Sequence, residues 1–344
     1  MNRQRKTTLD GAHLALRRRL LGAAAAAIAA GALPVSAGAQ PVSSAVPATS
    51  RILLGFGAGG SIDALARLLA ERIGVLLGPK HAVIVENRAG ANGQIAAQEL
   101  LRAPANGGTY LLAPLITPVL SQLVFSKPGY DPKTDFAPVG LAARFQFAIA
   151  VPASHPAKNA KELIAWFKAH PAQANFGSPA AGSLPHFFGL LLGDAAGVEI
   201  VHVPYKGGPA LLTDLGGGQL SAAVSTVSEL LPLHKDGKIR IIATFGSQRD
   251  RDVPDVPTLA ELGYPKAQGS GWFSLWARRG TPPAALAEFH KALNTALAEP
   301  AVRSKLAELA LQADPRTPEY LEQLRVAEIE KWRPVIAASG FKAD

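Results

Sequence analysis

Arg51-Ile-Leu-Leu-Gly-Phe-Gly-Ala-Gly-Gly-Ser-Ile-Asp63 reads as an apolar strand that runs through a glycine-rich turn into a helix. On the helix side Ile62, Leu65, Leu69, Ile73 and Leu76 recur at spacings of three and four, with Arg67, Glu71 and Arg72 off that stripe. Ser61 is the expected N-cap, so the first backbone N–H groups of the helix face the glycine turn without intrahelical partners. Those donors and the positive end of the helix dipole suit an anion, and Gly57, Gly59 and Gly60 allow it to approach the backbone. The same residues also make an ordinary strand-to-helix turn, so this stretch alone leaves both readings open.

Outward from this unit the alternation continues. Ala82–Val85 is a strand, Gly93–Arg102 a helix and Thr109–Ala113 a strand, a pattern that argues for a parallel sheet with right-handed crossovers. Residues 114–144 carry Pro114, Pro118, Pro128, Pro132 and Pro138 and read as a connection rather than part of a sheet. A second α/β run follows. It comprises strand Phe147–Val151, a helix capped by Asn159 with Glu162, strand Asn175–Gly177, helix Ser183–Ala195, strand Ile200–Val203, helix Pro209–Leu215, and strands Leu220–Val224 and Ile239–Thr244. Gly271–Trp276 is a strand returning to the first unit, where Trp272, Phe273 and Trp276 fill the core. Two helices come after it, one capped by Thr281 and one starting at Thr317-Pro318. The expected architecture is α/β with two lobes, each a mainly parallel sheet flanked by helices. Lobe 1 takes residues 51–145 and 268–344, lobe 2 takes 146–267, and two chain crossings form a hinge beside a cleft.

Composition narrows the class. Arg17-Arg18-Arg19, the apolar run Leu20–Leu33 and Ala37-Gly38-Ala39 have the layout of a signal peptide, cleaved after residue 39, with residues 40–50 as a flexible lead-in. The run falls short of the roughly 20 apolar residues that span a bilayer. Export by Sec or Tat therefore leaves a soluble periplasmic product. Cysteine is absent, which excludes a disulfide framework and a lipid anchor on cysteine. The whole chain carries +9; residues 1–39 hold six Lys/Arg and one Asp, so 29 basic against 25 acidic residues leave +4. That scattered excess argues against nucleic acid as a partner.

A second loop, Phe176-Gly-Ser-Pro-Ala-Ala-Gly-Ser-Leu-Pro-His186, repeats the first: Gly182-Ser183 stand at a helix start as Gly60-Ser61 do. Two helix N-termini, one per lobe, suit the two ends of a dicarboxylate, with Ser178 and Ser183 adding hydroxyls and Ala181 within the loop. His186 is placed either at the ligand or in packing, and Asp63 orients its loop because its charge repels a carboxylate. Tyr205 and Lys206 are within reach of the cleft. Enzyme signatures are missing: Gly55-x-Gly57-x-Gly59-Gly60 departs from the dinucleotide fingerprint, with Glu86 the sole candidate for a ribose. His155, His170, His186, His202, His234 and His290 lack metal-ligand spacing. No cofactor or metal is expected. Ser178, His186 and Asp63 make a triad only on paper.

Seven blocks in order resemble the Bug (Bordetella uptake gene) family, the TctC-type receptors of tripartite tricarboxylate transporters. They are Gly59–Asp63 with Ala66-Arg67, Val85–Gly93, Tyr130–Phe136, His202–Gly207, Asp214–Gln219, Pro254–Glu261 and Glu328–Trp332, within a match from about Arg51 to Gly340. The resemblance implies a type II periplasmic binding-protein fold. It further implies a monomer that closes on a small carboxylate without chemistry of its own and delivers it to membrane permease subunits. The family's ligand loops match at Phe56, Ala58, Gly59, Gly60 and Asp63 and at Ser178, Gly182, Ser183 and His186. The chain departs from the family in three places. Gly55, Gly57 and Ala58 replace prolines; Thr117 stands where His and Asn are frequent; and Val224-Ser225-Thr226 replaces a Phe-Asp pair, which disfavours an ammonium group on the ligand. Ser225, Thr226 and Thr117 are expected to set the ligand. The alternatives are an exported hydrolase using Ser178 or Ser183, and a receptor feeding a sensor kinase.

Overall fold

The computed structural model describes residues 44–343, so the expected signal peptide 1–39 lies outside the described residues. The chain opens with strand β1 (Thr49–Leu54), helix α1 (Ser61–Leu77), β2 (Ala82–Asn87), α2 (Gln94–Arg102) and β3 (Thr109–Pro114), as the alternating pattern dictates. On α1 the expected stripe is buried at Ile62, Leu65, Leu69 and Ile73, while Leu76 reaches solvent at 38% exposure. The proline-rich stretch holds a strand that the sequence reading missed, β4 (Phe136–Phe145). Pro138 is tolerated there because the register against the partner strand shifts twice, skipping Val139 and Ala142. The carbonyl of Val139, freed from the ladder, bonds His290 Nδ1 at 2.7 Å.

One residue, Gln146, separates β4 from β5 (Phe147–Pro152). Then come α3 (Ala160–Ala169), β6 (Asn175–Ser178), α4 (Leu184–Ala196), β7 (Val201–Pro204), α5 (Gly208–Gly216), β8 (Ala222–Thr226), α6 (Val227–Lys235) and β9 (Ile239–Thr244). Asn159 caps α3 by accepting from Glu162 N at 3.0 Å, and the Glu162 carboxylate reaches back to Lys158 N at 2.7 Å. β10 (Gly271–Arg278), α7 (Pro283–Ala298), α8 (Pro300–Glu308), β11 (Gln312–Arg316) and α9 (Pro318–Ser339) complete the chain. Thr317 caps α9, as expected, but α7 is preceded by Pro282 in the cap position, and the Thr281 hydroxyl instead bonds Arg278 O.

The strands form a six-stranded sheet in the order β11-β4-β10-β3-β1-β2 and a five-stranded sheet in the order β7-β6-β8-β5-β9. The two-sheet α/β expectation holds, but the sheets are mixed rather than mainly parallel. β2-β1-β3 and β7-β6-β8 are parallel, whereas β10 runs antiparallel to β3 and β4, and β5 antiparallel to β8 and β9. The crossings impose this. β4 leaves the first sheet at its carboxyl edge, and β5 enters the second at its carboxyl edge, with Phe147 opposite Thr226. The return is alike, because β9 ends at Thr244 and β10 enters with Gly271 opposite Phe145. A strand entering at a carboxyl edge must run against the parallel strands already there. The topology therefore brings the carboxyl edges of both sheets together at the crossings, where ligand crevices of open α/β sheets form. Trp272, Phe273 and Trp276 are buried, as the sequence reading expected.

Candidate functional site

Five strands deliver helices at these edges: β1 into α1, β2 into α2, β6 into α4, β7 into α5 and β8 into α6. At α1 the cap is Gly60, in extended backbone with no side-chain cap bond, and Ser61 is already helical and exposed. The extended Gly60 takes the position expected of Ser61, so the first N–H groups of α1 face the loop without a capping side chain. Gly57, Ala58, Gly59 and Gly60 are exposed, and a methyl group built on any of the three glycines would meet nothing within 4 Å.

Asp63 shapes this loop from beneath. Its carboxylate accepts from Gly59 N at 3.1 Å, from Arg67 Nε and Nη2 at 3.0 Å each, and from Asn87 Nδ2 at 3.0 Å. The same Asn87 amide nitrogen donates to Phe56 O at 3.1 Å, tying both ends of the loop to β2. The Arg67 guanidinium above all, then Gly59 N–H and Asn87, lowers the Asp63 pKa to about 2 against the opposing effect of burial. Asp63 thus organises the turn, the role its charge suggested. Phe56 and Thr117 are brought together around Gly93: a methyl there would sit 2.8 Å from Thr117 Oγ1 and 3.5 Å from the Phe56 ring. Thr117 is buried, and its carbonyl accepts from the Tyr130 hydroxyl at 2.9 Å.

In the second loop Ser183 is the N-cap of α4, and Gly182 holds φ +70°. Ser183 Oγ donates to Ala180 O at 2.6 Å, and His186 N approaches it at 3.5 Å. His186 Nδ1 accepts from Gly182 N at 3.1 Å. Its ring stacks on His202, with centroids 3.7 Å apart and planes 18° from parallel. The Ser178 hydroxyl points to Ala180 O at 3.0 Å and also meets His202 Nε2 at 2.7 Å. One proton cannot serve both, so the network assigns the N–H to His202 Nε2, donating to Ser178. Burial lowers both imidazoles to about 4, with His186 adding to the shift of His202. The triad drawn on paper does not form, since Ser178 pairs with His202 while His186 and Asp63 bond elsewhere. Ser178 is also fully buried.

Tyr205 lies beside Gly177 and donates to Asp214 at 2.7 Å, and burial pushes its hydroxyl up to about 12. Thr226 caps α6, accepting from Glu229 N at 3.3 Å. Ser225 is buried and donates to the Glu229 carboxylate, whose Oε1 lies 3.2 Å from where a methyl on Gly208 would be. A carboxylate therefore stands beside Ser225, supplied by Glu229 from the first turn of α6. Among the described residues no hydrogen bond joins loop 55–61 to loop 178–183.

A family model described as the tripartite tricarboxylate transporter family receptor matches residues 65–341. The chain belongs to that family. Among curated relatives, the protein BugT of Bordetella pertussis is 32% identical over 293 residues, covering 85% of this chain and 89% of its own. The solved structure of R. palustris Rpa4515 with adipate aligns at TM-score 0.74 and 31% identity, over 86% of this receptor and 98% of that chain. MatC of Rhodopseudomonas palustris with bound malate aligns at 0.70 and 30%, over 84% and 98%. The sequence analysis gave no role in the receptor's loops to His202, Asn87, Arg67 or Glu229. Arg67 lies four residues beyond Asp63 on α1, a one-turn spacing that could have revealed it.

Proposed function

We propose that this receptor takes a small carboxylate between lobe 1 (51–145 and 268–344) and lobe 2 (146–267) in the periplasm. It closes by a hinge at the crossings and passes the ligand, as a monomer and without chemistry, to the membrane permease subunits of a tripartite tricarboxylate transporter. The observation that carries this reading is the pair of helix starts at meeting carboxyl edges, α1 behind its open glycine loop and α4 behind Gly182-Ser183. α1 offers the unpaired N–H groups of its first turn and α4 those of Ser183 and Leu184, since Pro185 has none and His186 N is capped by Ser183; both helices present a dipole end of the sign a carboxylate requires. The adipate and malate in the two Rhodopseudomonas structures support that ligand class. Among the described residues no helix is long and apolar enough to cross a membrane.

Purified protein titrated with a carboxylate panel that includes adipate and malate is expected to gain about 2.7 kcal/mol of stability at a hundredfold excess over Kd. A panel in which no member stabilises the protein overturns the function. Unchanged binding in both Asp63→Ala and Ser183→Ala overturns the site. Hydrolysis is disfavoured by the tautomer at His202, which already donates to Ser178 and has no lone pair left there to take its proton.

A further inference from the structure

Helix α9 ends at Ser339, and Gly340, at φ +63°, turns the chain back so that Phe341 lands on the start of α4. The Phe341 ring meets His186 edge-on, with centroids 5.6 Å apart and planes at 81°, and meets Phe187 at 6.0 Å and 73°. It also lies directly on the backbone of Gly182, where a methyl group would come within 2.4 Å of the ring. Two residues further on, Ala343 N donates to Val124 O at 2.9 Å, on the helical turn that follows β3 of the six-stranded sheet. A segment of three residues therefore touches the glycine-serine loop of one lobe and is anchored to the other.

We propose that Phe341 is a positioning residue of the ligand site, clasping the Gly182–His186 turn so that the first N–H groups of α4 hold a fixed direction. This rests on the carboxylate-receptor reading given above. Gly182 is the residue most free to swing, since it has no side chain and a left-handed backbone. Its conformation is held by the bond to His186 Nδ1 and by the ring covering it. Oriented donors lose binding strength steeply when their direction is lost. By linkage, whatever factor the clasp contributes to ligand affinity, the ligand returns to the clasp, so carboxylate binding should tighten the Ala343 anchor.

The test compares hydrogen exchange of the Gly182 and Ala343 amides in the wild type, Phe341→Ala, Phe341→Leu, Gly182→Ala and the Phe341→Ala/Gly182→Ala double variant, with thermal midpoints as a fold control. Phe341→Ala is expected to speed Gly182 exchange while the midpoint stays above the assay temperature, and Phe341→Leu to restore protection. Gly182→Ala drives a methyl into the ring, so removing the ring as well should recover part of what Gly182→Ala loses. Unchanged Gly182 exchange in Phe341→Ala, or additive single variants, overturns the clasp whether or not any carboxylate binds. With adipate or malate as probe, whichever binds the wild type, Phe341→Ala is expected to weaken affinity about fivefold or more, and the ligand to slow Ala343 exchange. Equal affinity in the two proteins overturns the positioning role. A wild type that binds neither probe counts against the function proposed for those ligands, and the exchange comparison still decides the clasp.

Discussion

At the scale of single residues the site is built from charges that are satisfied before any ligand arrives. The buried Asp63 carboxylate takes four hydrogen bonds, so truncating it removes the shared acceptor of the exposed Arg67 and Gly59 and the half-buried Asn87. Asp63→Ala is expected to cost about 1–3 kcal/mol in denaturant unfolding. Because the folded pKa falls from 3.8 to about 2, the carboxylate's contribution is complete above pH 4 and fades as pH falls through 2. The stability difference between wild type and Asp63→Ala should therefore be flat at neutral pH and shrink only in that acid window. The histidine pair has the opposite chemistry but loses stability in the same direction. Both folded pKa values lie near 4, below the ordinary 6.5, so the unfolded chain binds more protons between those limits. Their contribution is whole above pH 6.5 and declines toward pH 4. His202→Gln keeps an N–H for Ser178 and removes one titrating ring, so it should flatten the slope of stability against pH across that interval. An unaltered slope would place the titration elsewhere.

At the scale of elements, the turn from β1 into α1 separates three uses of glycine. A methyl on Gly55 would lie 2.3 Å from Gly93 Cα, backbone against backbone, so Gly55→Ala has no flexible neighbour to displace. Gly59 has φ +92° in open space, so an alanine there meets strain alone, about 1–2 kcal/mol. Gly57 has neither constraint, and its alanine variant should stay within about 0.5 kcal/mol of wild type. Urea unfolding is expected to rank the losses Gly55→Ala, Gly59→Ala, Gly57→Ala, and any other order removes this account of the loop. Elements with a period were legible in the sequence. The stripe of α1, the Asn159–Glu162 cap and the Ser183 cap follow from local residues, and the structure places them where the pattern does. β4 was not legible, because prolines argue against a strand and the bulges that excuse Pro138 are properties of its partner β10. Edge strand β11, Gln-Ala-Asp-Pro-Arg, lacks alternation for the same reason: only its neighbour makes it a strand. In the site, Asp63 and the second helix start were readable. Glu229 at Ser225 and Phe341 on Gly182 were not, since both depend on contacts between elements.

At the scale of the whole molecule, the two sheets share a core. One cluster of buried side chains contains Leu111 and Trp276 of the six-stranded sheet, Phe147, Phe176 and Val224 of the five-stranded sheet, and Trp332 of α9. A chain of rings follows the crossing: Phe273 to Phe145 at 4.7 Å, Phe145 to Phe147 at 5.3 Å, Phe147 to Phe188 at 5.1 Å and Phe188 to Trp332 at 5.0 Å. Any closure around a ligand must pivot on this seam without opening it, because α9 packs against both β4 and α4. Trp332 is the load point. It is fully buried, stands edge-on to Phe188, and donates to the Glu328 carboxylate at 2.7 Å, whose pKa burial raises. Residues 44–343 should therefore unfold as one cooperative unit, with tryptophan fluorescence and far-ultraviolet circular dichroism giving the same denaturant midpoint. Trp332→Ala leaves a large void and a carboxylate without its donor, at a cost of about 3–5 kcal/mol. Since the void lies where the sheets share their core, it should also part the two midpoints, whereas Trp332→Phe, which keeps a ring against Phe188, should hold them together. Separate transitions in the wild type would mean that the lobes are independent and that the ring seam does not couple them.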